Sequence, residues 1–145
     1  MHFEACDISR LEFADLPRYE GAFLIGILHH VKTATPAILR ALHRITGRVV
    51  VLEPNGGHLL RKLLELTPSY RAAGEDSFRR RRLERIFAEA GFRRVIWRRL
   101  NLFPNFTPQL LFRLLRPIEP VIEVTPGLRA LCTVDMYGFA AQDQL

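Results

Sequence analysis

The chain of 145 residues is poor in cysteine, and its 2 cysteines form no motif. Cys6 and Cys132 lie near opposite ends without a CxxC pair. That excludes a disulfide scaffold and a zinc ribbon, and it suits a reduced, cytoplasmic compartment. Long apolar runs are missing as well. None approaches the roughly 20 residues a membrane span needs, and the opening MHFEACDISR is too polar for the core of a secretory leader. Internal repeats and low-complexity tracts are absent. The 9 glycines include no GxGxG, and the adjacent pair Gly56-Gly57 follows the run VVVLEPN.

What is present suffices for one domain. Hydrophobic residues make up 48% and charged residues 25%, the balance of an ordinary soluble globular chain with a single core. The net charge of +6 permits contact with nucleic acid or acidic membrane, but it bears first on solubility and association.

The stretch GAFLIGILHHV, residues 21–31, is a continuous apolar run that stops on two histidines. Such a run predicts a strand over 22–28 buried on both faces, as in a parallel sheet covered by helices. Thr35 and Pro36 predict a helix start, with Thr35 as N-cap. Ile38, Leu42 and Ile45 recur at helical spacing, and Gly47 stands where a C-terminal cap belongs. RVVVLEPN then predicts a second strand, over 48–53. Strand, helix and strand make a βαβ unit, so the two strands are expected to be parallel. HLLRKLLELTP predicts a short helix ended near Pro68. SFRRRRLERIFAEAGF predicts another, with Phe78, Leu83, Ile86, Phe87 and Ala90 on its apolar face and Gly91 at its end. RRVIWRRLNLF alternates arginine with apolar residues, the pattern of a strand near a sheet edge. From Pro104 to Pro126 the chain is punctuated by proline, with one short helix in PQLLFRLL. TVDMYGFAA predicts the last strand, and HFEAC a short one at the start. The whole is an α/β layer fold.

In this order the segments resemble the C-terminal half of a class I S-adenosylmethionine-dependent methyltransferase. ACDISRLEF is similar to the loop after that family's third strand, YEGAFLIGILHHV to its fourth strand and following motif, LHRITGRVVVLEPN to the helix and fifth strand, and LERIFAEAGFRRV to the helix before the sixth. The resemblance covers most of residues 3–100. It implies a partial Rossmann-like sheet with flanking helices and an antiparallel C-terminal edge. It also implies S-adenosylmethionine as cofactor and a small molecule as methyl acceptor. The family's glycine-rich loop and ribose-binding acid would precede residue 1, so the chain is expected to be part of a larger domain.

The resemblance places Asp7 and Ile8 against the adenine and the backbone from Gly26 to Leu28 along the cofactor. In open parallel sheets, ligands sit beyond the carboxyl ends of the strands. His29 and His30 would stand there, one of them facing the acceptor. Methyl transfer from a sulfonium is an in-line displacement, so positioning does most of the work. An oxygen nucleophile gains further from proton removal by imidazole. The competing reading has one ring capping the loop and the other packed under a helix. A metal site is not expected, because adjacent histidines point apart and no Cys/His/Asp cluster accompanies them. Glu53 and Asn55, at the end of the next strand, are candidates to orient a substrate. Pro54-Asn55-Gly56 is equally good turn chemistry. The run Arg79–Arg82 fits a solvated helix face better than a nucleic-acid site. Pro104–Pro126 is expected to shape the acceptor pocket.

Two other functions compete with methyl transfer. One is a non-catalytic half-domain that binds a partner chain through an open sheet edge. The other is a basic nucleic-acid-binding protein. Without the family's first two strands, the run AFLIGIL would form an open apolar edge. Self-association and weak cofactor binding by the isolated chain are the expected consequences.

Overall fold

Val49, Val50 and Val51 form the heart of β2 (Arg48–Pro54), where their branched side chains suit an extended, packed backbone. The computed structural model describes residues 8, 16–68, 77–103 and 107–144. Strand β2 pairs in parallel with β1 (Ala22–Ile25) and antiparallel with β4 (Val134–Ala141). On the far side β3 (Phe92–Leu100) pairs antiparallel with β4, giving the order β1-β2-β4-β3. This is the mixed sheet with an antiparallel edge that the resemblance implied, and β3 does lie at the edge. The segment HFEAC falls outside the described residues.

Helices α1 (Thr35–Ile45) and α3 (Arg80–Glu89) cover one face of the sheet. Ile38, Leu39, Leu42 and Ile45 form the buried stripe of α1, and Leu83 and Phe87 that of α3. They meet Leu24, Val49, Val51, Phe92, Tyr137, Phe139 and Ala141 of the strands. Phe87 stacks on Phe139 with ring centres 3.8 Å apart. Burying each of these large side chains stabilises the fold by about 1.5–3 kcal/mol. The other helices are α2 (Leu59–Glu65), α4 (Gln109–Leu115) and α5 (Glu119–Val124). Short 3₁₀ turns span Arg116–Ile118 and Leu128–Leu131. Among the described residues no helix is long and apolar enough to cross a membrane.

The structure departs from the sequence pattern at four places around β1 and α1. Regular pairing of β1 ends at Ile25 rather than residue 28, because Gly26 turns the chain with φ of 60°. The strand is buried on one face only. Leu24 is in the core, but Phe23 is 72% and Ile25 67% exposed on the face opposite α1 and α3. Thr35 is not an N-cap. It lies inside the helix, and its hydroxyl donates back to the Val31 carbonyl at 3.0 Å, while Pro36 occupies the first turn. Gly47 forms no left-handed cap. The helix closes on Thr46 in an extended conformation, and Thr46 donates its N–H to Leu42 O.

The proline-punctuated tail holds more structure than one helix. Pro117 and Pro120 fall in the first turns of short helical segments, where a missing N–H costs nothing. Glu119 accepts the N–H of Leu102 at 2.8 Å, and Glu123 accepts that of Asn101 at 2.9 Å. These bonds fix α5 over the carboxyl end of β3.

Candidate functional site

Beyond Ile25 the backbone still reaches β2, since the N–H of Gly26 donates to Leu52 O at 2.8 Å. It then folds into two overlapping turns, with His30 N donating to Ile27 O and Val31 N to Leu28 O. Thr35 secures this loop from α1 through its bonds to Val31 O and, at 3.4 Å, Leu28 O. The loop is held from the other side by Glu53, a residue only 2% exposed. Glu53 Oε1 accepts the Leu28 N–H at 2.8 Å, and Oε2 lies 2.8 Å from His29 Nδ1. With the carboxylate oxygen as acceptor, the bond calls for the hydrogen on Nδ1, and in the neutral tautomer that carries it there Nε2 has the lone pair. Among the described residues Nε2 has no hydrogen-bond partner. Strand β2 thus fixes both the backbone and the ring that follow β1.

The expected residues are distributed as follows. Gly26, Leu28, His29 and Glu53 come together at the carboxyl edge of the sheet. Leu28 is fully buried, and its N–H and carbonyl are both engaged within the protein. At Gly26, space for at least 4 Å around an ideal Cβ position is open. Ile8 packs against the core, and Asp7 falls outside the described residues. His30 is exposed, and its ring lies 4.0 Å from that of His29 at a tilt of 38°. The two rings therefore lie side by side rather than pointing apart, because the tight turn brings them to one side. Among the described residues no group of three or more potential metal ligands forms. Asn55 is buried, and both ends of its amide serve the turn. Its Nδ2 donates to Cys132 O and its Oδ1 accepts the Gly57 N–H.

The register adds residues that the linear pattern did not single out. Asp135 of β4 stands directly opposite Glu53, and Arg99 of β3 directly opposite Asp135. Asp135, 1% exposed, accepts from Arg99 Nε and Trp97 Nε1, each at 3.1 Å. A polar row therefore crosses the sheet at its carboxyl edge, from His29 through Glu53 and Asp135 to Arg99. The two central carboxylates are adjacent, and each faces its donors on the outer side. Burial pushes the Tyr137 hydroxyl well above its usual range, and the Asp135 carboxylate reinforces this. Period-two alternation in VDMYGFA puts Asp135 on the same face as Tyr137 and Phe139, and a carboxylate on a buried face was the available signal.

No protein-family model matches the sequence, and no curated protein matches it. Solved structures do match. One is magnesium protoporphyrin IX methyltransferase (ChlM) from Synechocystis PCC 6803 with bound SAH, at TM-score 0.51 and 13% identity over 94% of this chain and 49% of that one. Another is the N-terminal domain of EvdMO1 with SAH bound, at TM-score 0.50 and 15% identity over 95% of this chain and 52% of that one. The chain spans about half the length of these structures. Its fold is part of the class I methyltransferase fold.

Proposed function

We propose that this chain carries the proton-accepting side of an S-adenosylmethionine-dependent methyl-transfer site that acts on a small-molecule acceptor as part of a larger domain. The observation that carries the reading is the clamp of Glu53 on Leu28 N–H and His29 Nδ1, both at 2.8 Å. It sits at the sheet edge where open α/β folds bind ligands. The solved neighbours hold SAH, the product left when such a cofactor gives up its methyl group.

The residues present fit one wall of a cofactor site. Gly26 leaves open space beside the end of β1, and a side chain there would fill it. Leu28 shapes this wall from within, since its polar backbone atoms are engaged elsewhere. Bound there, S-adenosylmethionine would supply an electrophilic methyl group on a sulfonium. His29 Nε2 would take the proton of the acceptor hydroxyl or amine while the methyl carbon passes from sulfur to the acceptor's lone pair, the C–S bond breaking with its electrons left on the thioether sulfur. Glu53 holds the ring in the tautomer this requires, and its charge stabilises the imidazolium that results. Glu53 is thereby a positioning residue rather than a substrate ligand. Asn55 shapes the loop after β2, and α5 closes the edge near β3.

Calorimetry on the protein at its natural length is the test of donor binding, with SAH as probe. Saturable binding is expected, and its absence would overturn the reading. Incubation with methyl-labelled S-adenosylmethionine and a panel of hydroxylated and amine acceptors should then give label transfer with SAH release. Transfer that is insensitive to His29→Gln would remove His29 from the mechanism.

A further inference from the structure

Trp97 is the sole tryptophan of the chain, and three arginines surround it. The guanidinium carbons of Arg80, Arg129 and Arg99 lie 4.4, 5.1 and 5.3 Å from the ring centre. They come from three separate elements: the start of α3, the 3₁₀ turn Leu128–Leu131 and the end of β3. All three charges therefore fall within 5.3 Å of one point. Four acids lie nearby, and Glu119 and Glu123 accept the backbone N–H groups of Leu102 and Asn101. Asp135 serves Arg99 and the indole N–H. Glu84 is shared, at 3.7 Å from Arg80 and 2.9 Å from Arg94. Among the described residues Arg129 has no carboxylate within ion-pair distance. Each guanidinium gains from the indole face, but that attraction does nothing to offset the repulsion among the three. An anion placed among them does.

The cluster stands on the same sheet edge as His29. Arg99 is opposite Asp135, and Asp135 is opposite Glu53. With strands spaced about 4.8 Å apart, Arg99 is roughly 10 Å from Glu53 along the edge. Gly57, in the loop after β2, borders the guanidinium of Arg99, since a Cβ there would lie 3.8 Å from Nη2. The position suits a group on a molecule that also reaches His29. Building on the methyl-transfer reading, we propose that Arg80, Arg99 and Arg129 around Trp97 bind an anionic group, a carboxylate or phosphate, of the acceptor. A polymer is the weaker fit. Arg81, Arg82 and Arg85 are the exposed arginines of α3, whereas the Arg99 side chain is only 19% exposed, which a small anion reaches more readily than a phosphate backbone.

The lone indole makes the site directly measurable. The full chain is titrated with inorganic phosphate and with citrate at fixed ionic strength, and Trp97 fluorescence is read. A saturable change is expected. Arg129→Gln should weaken it about tenfold or more, Arg129→Lys should keep most of it, and Arg81→Gln should leave it unchanged. Circular dichroism establishes that each variant is folded. No saturable change, or one equal in Arg129→Gln, overturns the proposal. So does a change that only an oligonucleotide elicits, which would indicate a polymer surface. This readout needs no methyl donor, so it stands or falls separately from the methyl-transfer reading. In the natural-length protein, Arg129→Gln should raise the acceptor KM about tenfold with kcat nearly unchanged. A lowered kcat at constant KM would show that the anion is not the acceptor's.

Discussion

Glu53 gives one carboxylate to two neighbouring donors, and this sets its response to substitution. In Glu53→Gln the amide oxygen can still accept the Leu28 N–H, but the amide nitrogen now faces His29 Nδ1 as a donor. The ring must then accept at Nδ1 and move its hydrogen to Nε2. The expected outcome is a folded protein with the opposite tautomer, read from ¹⁵N–¹H correlations of the imidazole. An unchanged Nδ1–H tautomer would contradict the clamp. Glu53→Ala should instead cost about 2–4 kcal/mol, since it leaves two donors without a partner. Tyr137 gives a second residue-scale expectation. Its folded pKa is raised, so its stabilising effect is complete below the ordinary tyrosine value of about 10 and is lost as pH rises beyond it. Urea midpoints should fall as pH rises above about 10, and Tyr137→Phe should flatten that fall. His29 and Glu53 were both visible in the sequence as polar residues ending apolar runs. Their partnership was not, because it joins residues 24 apart through a register that only the folded sheet defines. Asp135 carried a signal in the alternation of VDMYGFA, but its place opposite Glu53 follows only from the register.

At the scale of elements, local periodicity foretold most of the helices. Leu83 and Phe87 fix the buried face of α3, and Ile38, Leu42 and Ile45 that of α1, because a 3.6-residue period suffices to define a stripe. Strand β1 was misread at its faces, since a continuous apolar run does not reveal whether both sides are covered. Helix α5 was hidden by prolines that sit harmlessly in first turns. Among the described residues, Glu65 and Arg61 of α2 both hold Ser77, which precedes α3. Glu65 accepts the Ser77 N–H at 2.9 Å and pairs with Lys62. Burial opposes its charge, but the bonds to Lys62 and Ser77 outweigh burial and hold its pKa below the ordinary value of 4.5. A depressed pKa adds stability above that value, and the contribution disappears as pH falls through the folded pKa. Glu65→Gln should therefore cost about 1 kcal/mol near neutral pH and less near pH 3, by urea denaturation. An equal cost at both values would contradict this account.

For the whole molecule, one face of the sheet is covered by α1 and α3, while on the other Phe23, Ile25 and Ile96 are exposed. Among the described residues β1 is the outer strand of the sheet on its side, an edge with apolar side chains of the kind that charged residues normally protect. The isolated chain is therefore expected to self-associate despite its net charge of +6. Size-exclusion chromatography should show oligomers, and Phe23→Lys should shift them toward monomer. The chain contains no GxGxG, and the polar groups of Leu28 are already engaged, so its own S-adenosylmethionine binding is expected to be weak or absent by calorimetry. A clean monomer with micromolar affinity would contradict both expectations.

The measurement that bears most directly on the central claim is the turnover of His29→Gln in the natural-length protein, with whichever acceptor takes up label. If His29 accepts the proton during methyl transfer, kcat should fall by about 10²–10⁴ while SAH affinity and the folded content stay the same. Wild-type turnover in that variant would contradict the account.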